Sequence, residues 1–102
     1  MARLRAVDKS RLAEWRAMAA ATALARLAEH AKADRDYTPT NWPGSTRWHV
    51  SFAGADFELI CTGARFYDTR ARVGGGGAID LAMHLTGRSF NDAVKFLRDK
   101  GL

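Results

Sequence analysis

Basic and aromatic side chains alternate in two short stretches in the middle of the chain. Guanidinium groups pair well with phosphates, and flat rings offer surfaces on which bases stack, at about 1–3 kcal/mol per base. We therefore treat as candidate nucleic-acid-binding residues Arg47, Trp48, His49, Arg65, Tyr67, Arg70 and Arg72. In the alternative interpretation, Trp48 and Phe66 belong to the core and the arginines are solvated residues at a sheet edge. The residue pattern leaves both interpretations open.

Nucleophiles and metal ligands are few and scattered. Cys61, His30, His49 and His84 are the candidate zinc ligands, but no two of them have the close paired spacing of a structural zinc site. We expect His49 and Cys61 to face each other across a hairpin, which gives only two ligands. Asp80 and His84, four residues apart on a helix, are expected to form a surface pair rather than a proton relay. The prediction is therefore no metal, no cofactor, no catalytic residue and no enzymatic activity.

Four consecutive glycines, residues 74–77, precede a predicted helix. Free backbone N–H groups at a helix N-terminus attract anions, so the run resembles a phosphate-binding loop. However, no Lys-Ser or Lys-Thr follows, as a P-loop requires, and no parallel strand of a dinucleotide-binding unit precedes it. We favour the other interpretation, a flexible and closely packed turn where a side chain does not fit.

The chain has 102 residues, with 16 Lys and Arg against 11 Asp and Glu, a formal net charge of +5. This balance favours a polyanionic partner such as nucleic acid, although many proteins are equally basic for no specific reason. The length and the 47% hydrophobic content predict a single domain, 1–102, and exclude a disordered tail. No secretory signal, membrane span or cysteine pair is present in the sequence, so we expect a cytoplasmic protein and no membrane partner.

The periodicity of apolar residues predicts the elements that position these side chains. Residues 10–33 contain no Gly or Pro and carry an apolar stripe, which predicts one long amphipathic helix within an N-terminal segment, 1–36. Alternation predicts short strands over 47–52, 57–62 and 65–68 within a core, 46–100. The predicted fold class is α+β: a long N-terminal helix, a three-stranded antiparallel meander, a glycine loop and two short C-terminal helices.

Residues at the ends of the two C-terminal helices give specific signals. Gly87 is expected to end the first helix in the left-handed conformation. Ser89 is expected to cap the second helix, which we expect to bury Phe90, Val94 and Leu97.

Three motifs follow one another in the last third of the chain: Phe-Tyr-Asp at 66–68, Gly-Gly-Gly-Ala-Ile-Asp at 75–80, and Ser-Phe-x-x-Ala-Val-x-x-Leu at 89–97. At this spacing, residues 65–98 resemble the second half of the zinc ribbon of bacterial DNA primases. The paired cysteines of that family fall on Thr69 and Arg72, and its earlier Cys-x-x-His pair has no counterpart near residues 42–45. The chain is therefore similar to the zinc-less ribbons of primase- and Toprim-like proteins from plasmids, phages and integrative elements.

The resemblance implies a non-catalytic module that binds single-stranded DNA in a replication, primase or mobilisation system of a mobile element. By resemblance, the binding surface is formed by Arg47, His49, Arg65, Tyr67, Arg70 and Arg72. The resemblance also implies a glycine loop that is held by packing of Phe66 and Ile79 instead of by zinc. The alternative is a protein–protein interaction module that kept the ribbon but lost DNA binding. Such a module would dock a partner through the Ala-rich helix or through residues 42–48. A homodimer through the N-terminal helix is a further alternative.

Overall fold

A computed structural model describes residues 9–40 and 42–102. The described elements are α1 (Lys9–Ala17), α2 (Ala20–Leu27), β1 (His30–Ala33), β2 (Thr46–Phe52), β3 (Ala55–Thr62), β4 (Arg65–Asp68), β5 (Val73–Gly76), α3 (Gly77–Thr86) and α4 (Phe90–Asp99). The strands form one antiparallel sheet in the order β1-β2-β3-β4-β5. The prediction of one long helix with a three-stranded meander is therefore wrong, although its three strands correspond to β2, β3 and β4.

The predicted N-terminal helix is interrupted at residues 18–19, where Ala19 is extended and the N–H of Ala20 donates to Gly63 O at 2.8 Å. Trp15 and Leu24 are both fully buried. In one straight helix, nine residues at about 100° each would place these two side chains about 180° apart. The break turns both toward the core, so tertiary packing overrides a helix-favouring composition.

The last residues of the predicted helix form strand β1 instead. Ala31 lies opposite Val50 in the antiparallel register with β2, and the N–H of Glu29 donates to Ser51 O at 3.0 Å. The pairing satisfies backbone groups of β2 that would otherwise lack a partner. Four residues of Ala, His and Lys carry too weak a strand signal to reveal this from the sequence.

The glycine run is strand β5 and the first residue of α3, so the predicted glycine loop is also wrong. A Cβ on Gly75 would lie 3.0 Å from the Phe66 ring, and a Cβ on Gly77 would lie 2.7 Å from Cα of Arg16. Gly77 also has φ +84°, in the left-handed region. Gly75 and Gly77 are needed because β5 passes directly against β4 and leads into a helix, α3, that packs against α1.

The helices cover one side of the sheet. Trp15, Leu24, Leu81 and Leu97 are among the residues that pack there with the buried side chains of the strands. Ala20 and Ala23 are buried in this core, whereas Ala13, Ala17 and Ala25 are exposed. The homodimer through the N-terminal helix stays a prediction. No helix in the described part of the chain combines the length and apolarity needed to cross a membrane.

The C-terminal helices have the predicted ends. Gly87 follows α3 with φ +71°, and the hydroxyl of Ser89 accepts a hydrogen bond from the N–H of Asp92 at 3.3 Å. Val94 is buried as predicted, whereas Phe90 is 42% exposed. The expected burial of Phe90 is therefore wrong, because the first residue of α4 lies at the rim of the core.

Candidate nucleic-acid interface

The candidate site lies on the face of the sheet opposite the helices, which we call the open face. Strand alternation turns Val50, Leu59, Cys61 and Phe66 toward the helices, where all four are buried. The intervening positions of β1 to β4 lie on the open face, and they include Lys32, Arg47, His49, Glu58, Ile60, Thr62, Arg65 and Tyr67. Two regions of different chemistry share this face.

The first region, formed by Asp34, Arg47, His49 and Glu58, we call the charged half. The Nε and Nη2 of Arg47 both donate to Oε2 of Glu58, and Asp34 Oδ2 lies 4.0 Å from Arg47 Nε. His49 lies between the same carboxylates, with Nε2 4.0 Å from Asp34 and Nδ1 3.9 Å from Glu58. The basic side chains of this region are therefore already matched by acidic ones.

The ion pair in the charged half changes the titration of both partners. The hydrogen bond from Arg47, with a second from the Thr69 hydroxyl at 2.8 Å, holds the pKa of Glu58 below its ordinary value. The bond to Glu58 raises the pKa of Arg47. Both groups stay charged and paired at neutral pH, which leaves Arg47 little capacity to bind a phosphate.

The second region is a groove of about 480 Å³ between the open face and the segment that joins β1 to β2. We call it the aromatic groove. Its lining residues are Tyr37, Thr40, Trp42, Ser45, Ile60, Thr62, Arg65, Phe66, Tyr67 and Gly74. Trp42 is 70% exposed and Tyr67 is 45% exposed, so two rings are available to a ligand. Within the part of the chain that the structure describes, Arg65 is the single charged residue of the lining, and no salt bridge joins it to another residue.

A tight turn presents Trp42 to this groove. Pro43 and Gly44 occupy the centre of the turn, Gly44 has φ +88°, and the N–H of Ser45 donates to Trp42 O at 3.1 Å. These are the features of a type II turn. The Ser45 hydroxyl lies 2.6 Å from the Thr62 hydroxyl, which anchors the turn to β3. Sequence reasoning considered Trp42 only for protein docking, although the Pro-Gly pair after it indicated a turn.

Arg70 and Arg72 lie on the turn between β4 and β5, and both are exposed. Asp68 organises this turn, since its Oδ1 accepts the N–H groups of Arg70 and Ala71 at 2.9 Å each. Its Oδ2 accepts a hydrogen bond from Nε2 of His84 at 2.6 Å. Burial acts to raise the pKa of Asp68, but these hydrogen bonds outweigh it and hold the pKa below its ordinary value.

The prediction of a surface pair between Asp80 and His84 is wrong. His84 is bound to Asp68 and also packs between the rings of Phe57 and Phe66, with centroids 5.6 Å away in both cases. Asp80 instead accepts the N–H of Gly76 at 3.0 Å. The buried pair of His84 and Asp68 thus supports the end of β4, a role that sequence reasoning missed because the two residues are 16 positions apart.

The seven candidate residues do not form one surface. Arg65 and Tyr67 line the aromatic groove, Arg47 and His49 belong to the charged half, and the other two arginines lie on the β4–β5 turn. Trp48 lies on the helical side of the sheet, packed against the core, and its Nε1 donates to the Thr46 hydroxyl at 2.8 Å. A ligand on the open face therefore cannot contact Trp48 and Tyr67 together.

The expected hairpin pair of His49 and Cys61 is absent, because the two side chains lie on opposite faces of the sheet. Burial raises the pKa of the Cys61 thiol to about 12, so it stays protonated at neutral pH and is a poor nucleophile. The described residues contain no group of three His, Cys, Asp or Glu able to hold a metal ion. Among the described residues, the aromatic groove offers a ligand two exposed rings, two hydroxyls and a guanidinium without a carboxylate partner.

Comparison with known proteins finds a similarity over part of the chain. No family model matches it, and no solved structure matches it. Over 44 residues, 43% of this chain, the sequence is 46% identical to the "65 kDa protein" of Zymomonas mobilis subsp. mobilis, and the match spans 8% of that protein's length. A segment of this sequence therefore has a counterpart within a much longer protein. None of these findings links the chain to the primase zinc ribbon, so that resemblance stays a prediction.

Proposed function

We propose that this chain is a non-catalytic module that binds single-stranded nucleic acid in the aromatic groove. The observation that carries the proposal is the exposure of two rings, Trp42 and Tyr67, around Arg65 in one groove on the open face. Aromatic side chains bind single strands by stacking on bases, and guanidinium groups bind the phosphates between them. The net charge of +5 adds a general attraction to a polyanion.

The geometry favours single strands over duplexes. In a duplex the faces of the bases are stacked on one another, so rings on a sheet surface reach them only after unpairing. Unpaired bases are free to lie against Trp42 and Tyr67. The assignment to DNA, and to a replication, primase or mobilisation system of a mobile element, rests on the primase resemblance alone. The match to a segment of a longer protein fits a module that works beside other domains.

The proposal is tested by titrating a labelled single strand of about 12 nucleotides, and its duplex, with the purified chain at about 50 and 200 mM salt. Fluorescence anisotropy should show binding that favours the single strand and weakens as the salt concentration rises. Trp42→Ala should weaken binding about 5- to 150-fold, since one stacked base contributes about 1–3 kcal/mol.

Phe90→Ala is the matched control, because Phe90 is an exposed ring on α4, on the helical side of the sheet. This variant should bind like the wild type. No binding at low salt would refute the proposal. Equal losses in Trp42→Ala and Phe90→Ala would place binding outside the groove, and salt-independent binding of a protein partner would favour the interaction-module alternative.

A further inference from the structure

A pair of hydroxyl groups lies in the lining of the aromatic groove. Ser45 is only 6% exposed, and its Oγ lies 2.6 Å from Oγ1 of Thr62. One hydroxyl donates to the other, so one hydroxyl hydrogen and several lone pairs remain available. Within the described residues, neither hydroxyl makes another hydrogen bond. A polar pair in this position is suited to contact the edge of a ligand whose flat face lies against the rings.

The strand register places the other groups of the groove beside this pair. Thr62 lies directly opposite Arg65 on β4, and Ile60 lies opposite Tyr67. Side chains in such positions are neighbours on one face of the sheet. The hydroxyl pair is thus next to a cation, and the ring of Tyr67 is next to an apolar floor. Among the described residues, no carboxylate lines the groove.

The volume of the groove limits the ligand. At about 480 Å³ it falls in the lower part of the range for small-molecule sites, about 300–1,000 Å³. A single nucleotide has the required parts: a flat face for Trp42 and Tyr67, an edge of donors and acceptors for the hydroxyls, and an anion for Arg65.

We infer that the aromatic groove holds one unpaired nucleobase, whose edge hydrogen-bonds to Ser45 and Thr62 while its phosphate contacts Arg65. This inference rests on the proposed function and adds base discrimination to it. Stacking alone tolerates every base because every base has a flat face. A hydroxyl pair of fixed geometry discriminates, since bases differ in the donors and acceptors along their edges.

Base preference is measured by anisotropy with four labelled strands, identical except for one central position that carries A, C, G or T in an otherwise abasic sequence. The wild type should prefer one base over the weakest by about fivefold, the effect of roughly one hydrogen bond. Thr62→Val removes the hydroxyl and keeps the shape of the side chain. It should reduce the difference in affinity between the best and the weakest base to less than about twofold. Ser45→Ala should act in the same direction.

Thr38→Val is the matched control, because Thr38 is exposed in the segment that carries Trp42 and does not line the groove. It should keep the wild-type preference. As a second arm, a nucleoside 5′-monophosphate should compete with the labelled strand, whereas inorganic phosphate at the same concentration should not. This arm separates recognition of a whole nucleotide from simple anion binding.

The outcomes distinguish the two proposals. Wild-type protein that binds all four strands equally, or a Thr62→Val variant that keeps the full preference, would overturn the inference and leave the proposed function standing. Failure to bind any single strand would overturn both. Circular dichroism of each variant confirms that the sheet is intact, and Ser45→Ala provides the test on its own if Thr62→Val does not fold.

Discussion

Each half of the open face carries an arginine, and the two arginines differ in what surrounds them. In the charged half, Arg47 and His49 lie within 4.0 Å of the carboxylates of Asp34 and Glu58. In the aromatic groove, the described lining surrounds Arg65 with rings and hydroxyls and with no acidic side chain. The number of basic residues in a sequence therefore overstates how many of them can bind a phosphate. The cross-strand neighbours decide which guanidinium is free to bind.

We expect the largest effect, a loss of folding stability, from a variant that disturbs the packing of α3 against α1. Gly77→Ala places a methyl group 2.7 Å from Cα of Arg16 at a residue with φ +84°, and should cost about 3 kcal/mol or more. Gly76→Ala is the control from the same run, since its Cβ would meet nothing closer than 4.0 Å. Urea denaturation measures both. Equal stability of the two variants would show that the start of α3 does not pack closely against α1.

The next prediction compares the stability contributed by two carboxylates, Asp68 at the end of β4 and Glu58 in the charged half. Asp68→Asn removes a charge that accepts three hydrogen bonds at the end of β4, the strand that carries Arg65 and Tyr67. It should lower the free energy of unfolding at pH 7 by about 1.5–3 kcal/mol. Glu58→Gln, in the more exposed charged half, should cost less. Urea denaturation at pH 7 measures the free energy of unfolding of both variants. A larger loss in Glu58→Gln than in Asp68→Asn would contradict this prediction.

The loss of folding stability in acid should also depend on Asp68. The pKa of Asp68 is lower in the folded chain than the ordinary value of 3.8. Its contribution to stability is therefore complete above about pH 4 to 5 and is lost as the pH falls through the folded pKa. The wild type should lose stability steeply below pH 4, and Asp68→Asn should show a shallower decline. Parallel curves for the two proteins would contradict the role of the buried carboxylate.

Salt dependence should distinguish the arginines. Arg65→Ala should reduce the slope of log affinity against log salt for a single strand by about 0.7, as expected for one lost phosphate contact. Arg98→Ala, an exposed arginine of α4 on the helical side, removes the same charge and should change the slope less. Anisotropy at several salt concentrations measures both slopes, and identical changes would mean that only net charge matters.

The smallest effect is expected in the charged half. The double variant Arg47→Ala with Glu58→Gln removes an ion pair without changing net charge. Because neither group is free to contact phosphate, single-strand affinity should stay within about twofold of the wild type. A loss as large as that of Trp42→Ala in the same titration would move the binding site from the groove to the charged half.

The elements predicted correctly are those with strong local signals. Alternation revealed β2, β3 and β4, and the residues Gly87 and Ser89 marked the ends of the last two helices. The helix break at residues 18–19 was not predictable from such signals, since it follows from the need to bury Trp15 and Leu24 together. Strand β5 was missed because the contacts that its glycines make, with β4 and α3, are not visible in the sequence.

The candidate site was predictable in part. Arg65 and Tyr67 were identified from their types and spacing, and they line the groove. The pairing of Arg47 with Glu58 depends on the register of two strands, which composition does not reveal. Trp42 was missed as a ligand contact because its position depends on a turn anchored by the hydroxyls of Ser45 and Thr62, 17 residues apart.

Tryptophan emission provides the most direct test of binding in the aromatic groove, because the three tryptophans differ in position. Trp15 is buried, Trp42 is 70% exposed in the groove, and Trp48 lies on the other side of the sheet. A saturating single strand should quench the emission of the wild type and of Trp48→Phe, and this quenching should disappear in Trp42→Phe. Quenching that persists in Trp42→Phe and disappears in Trp48→Phe would place the strand on the opposite face and contradict the account.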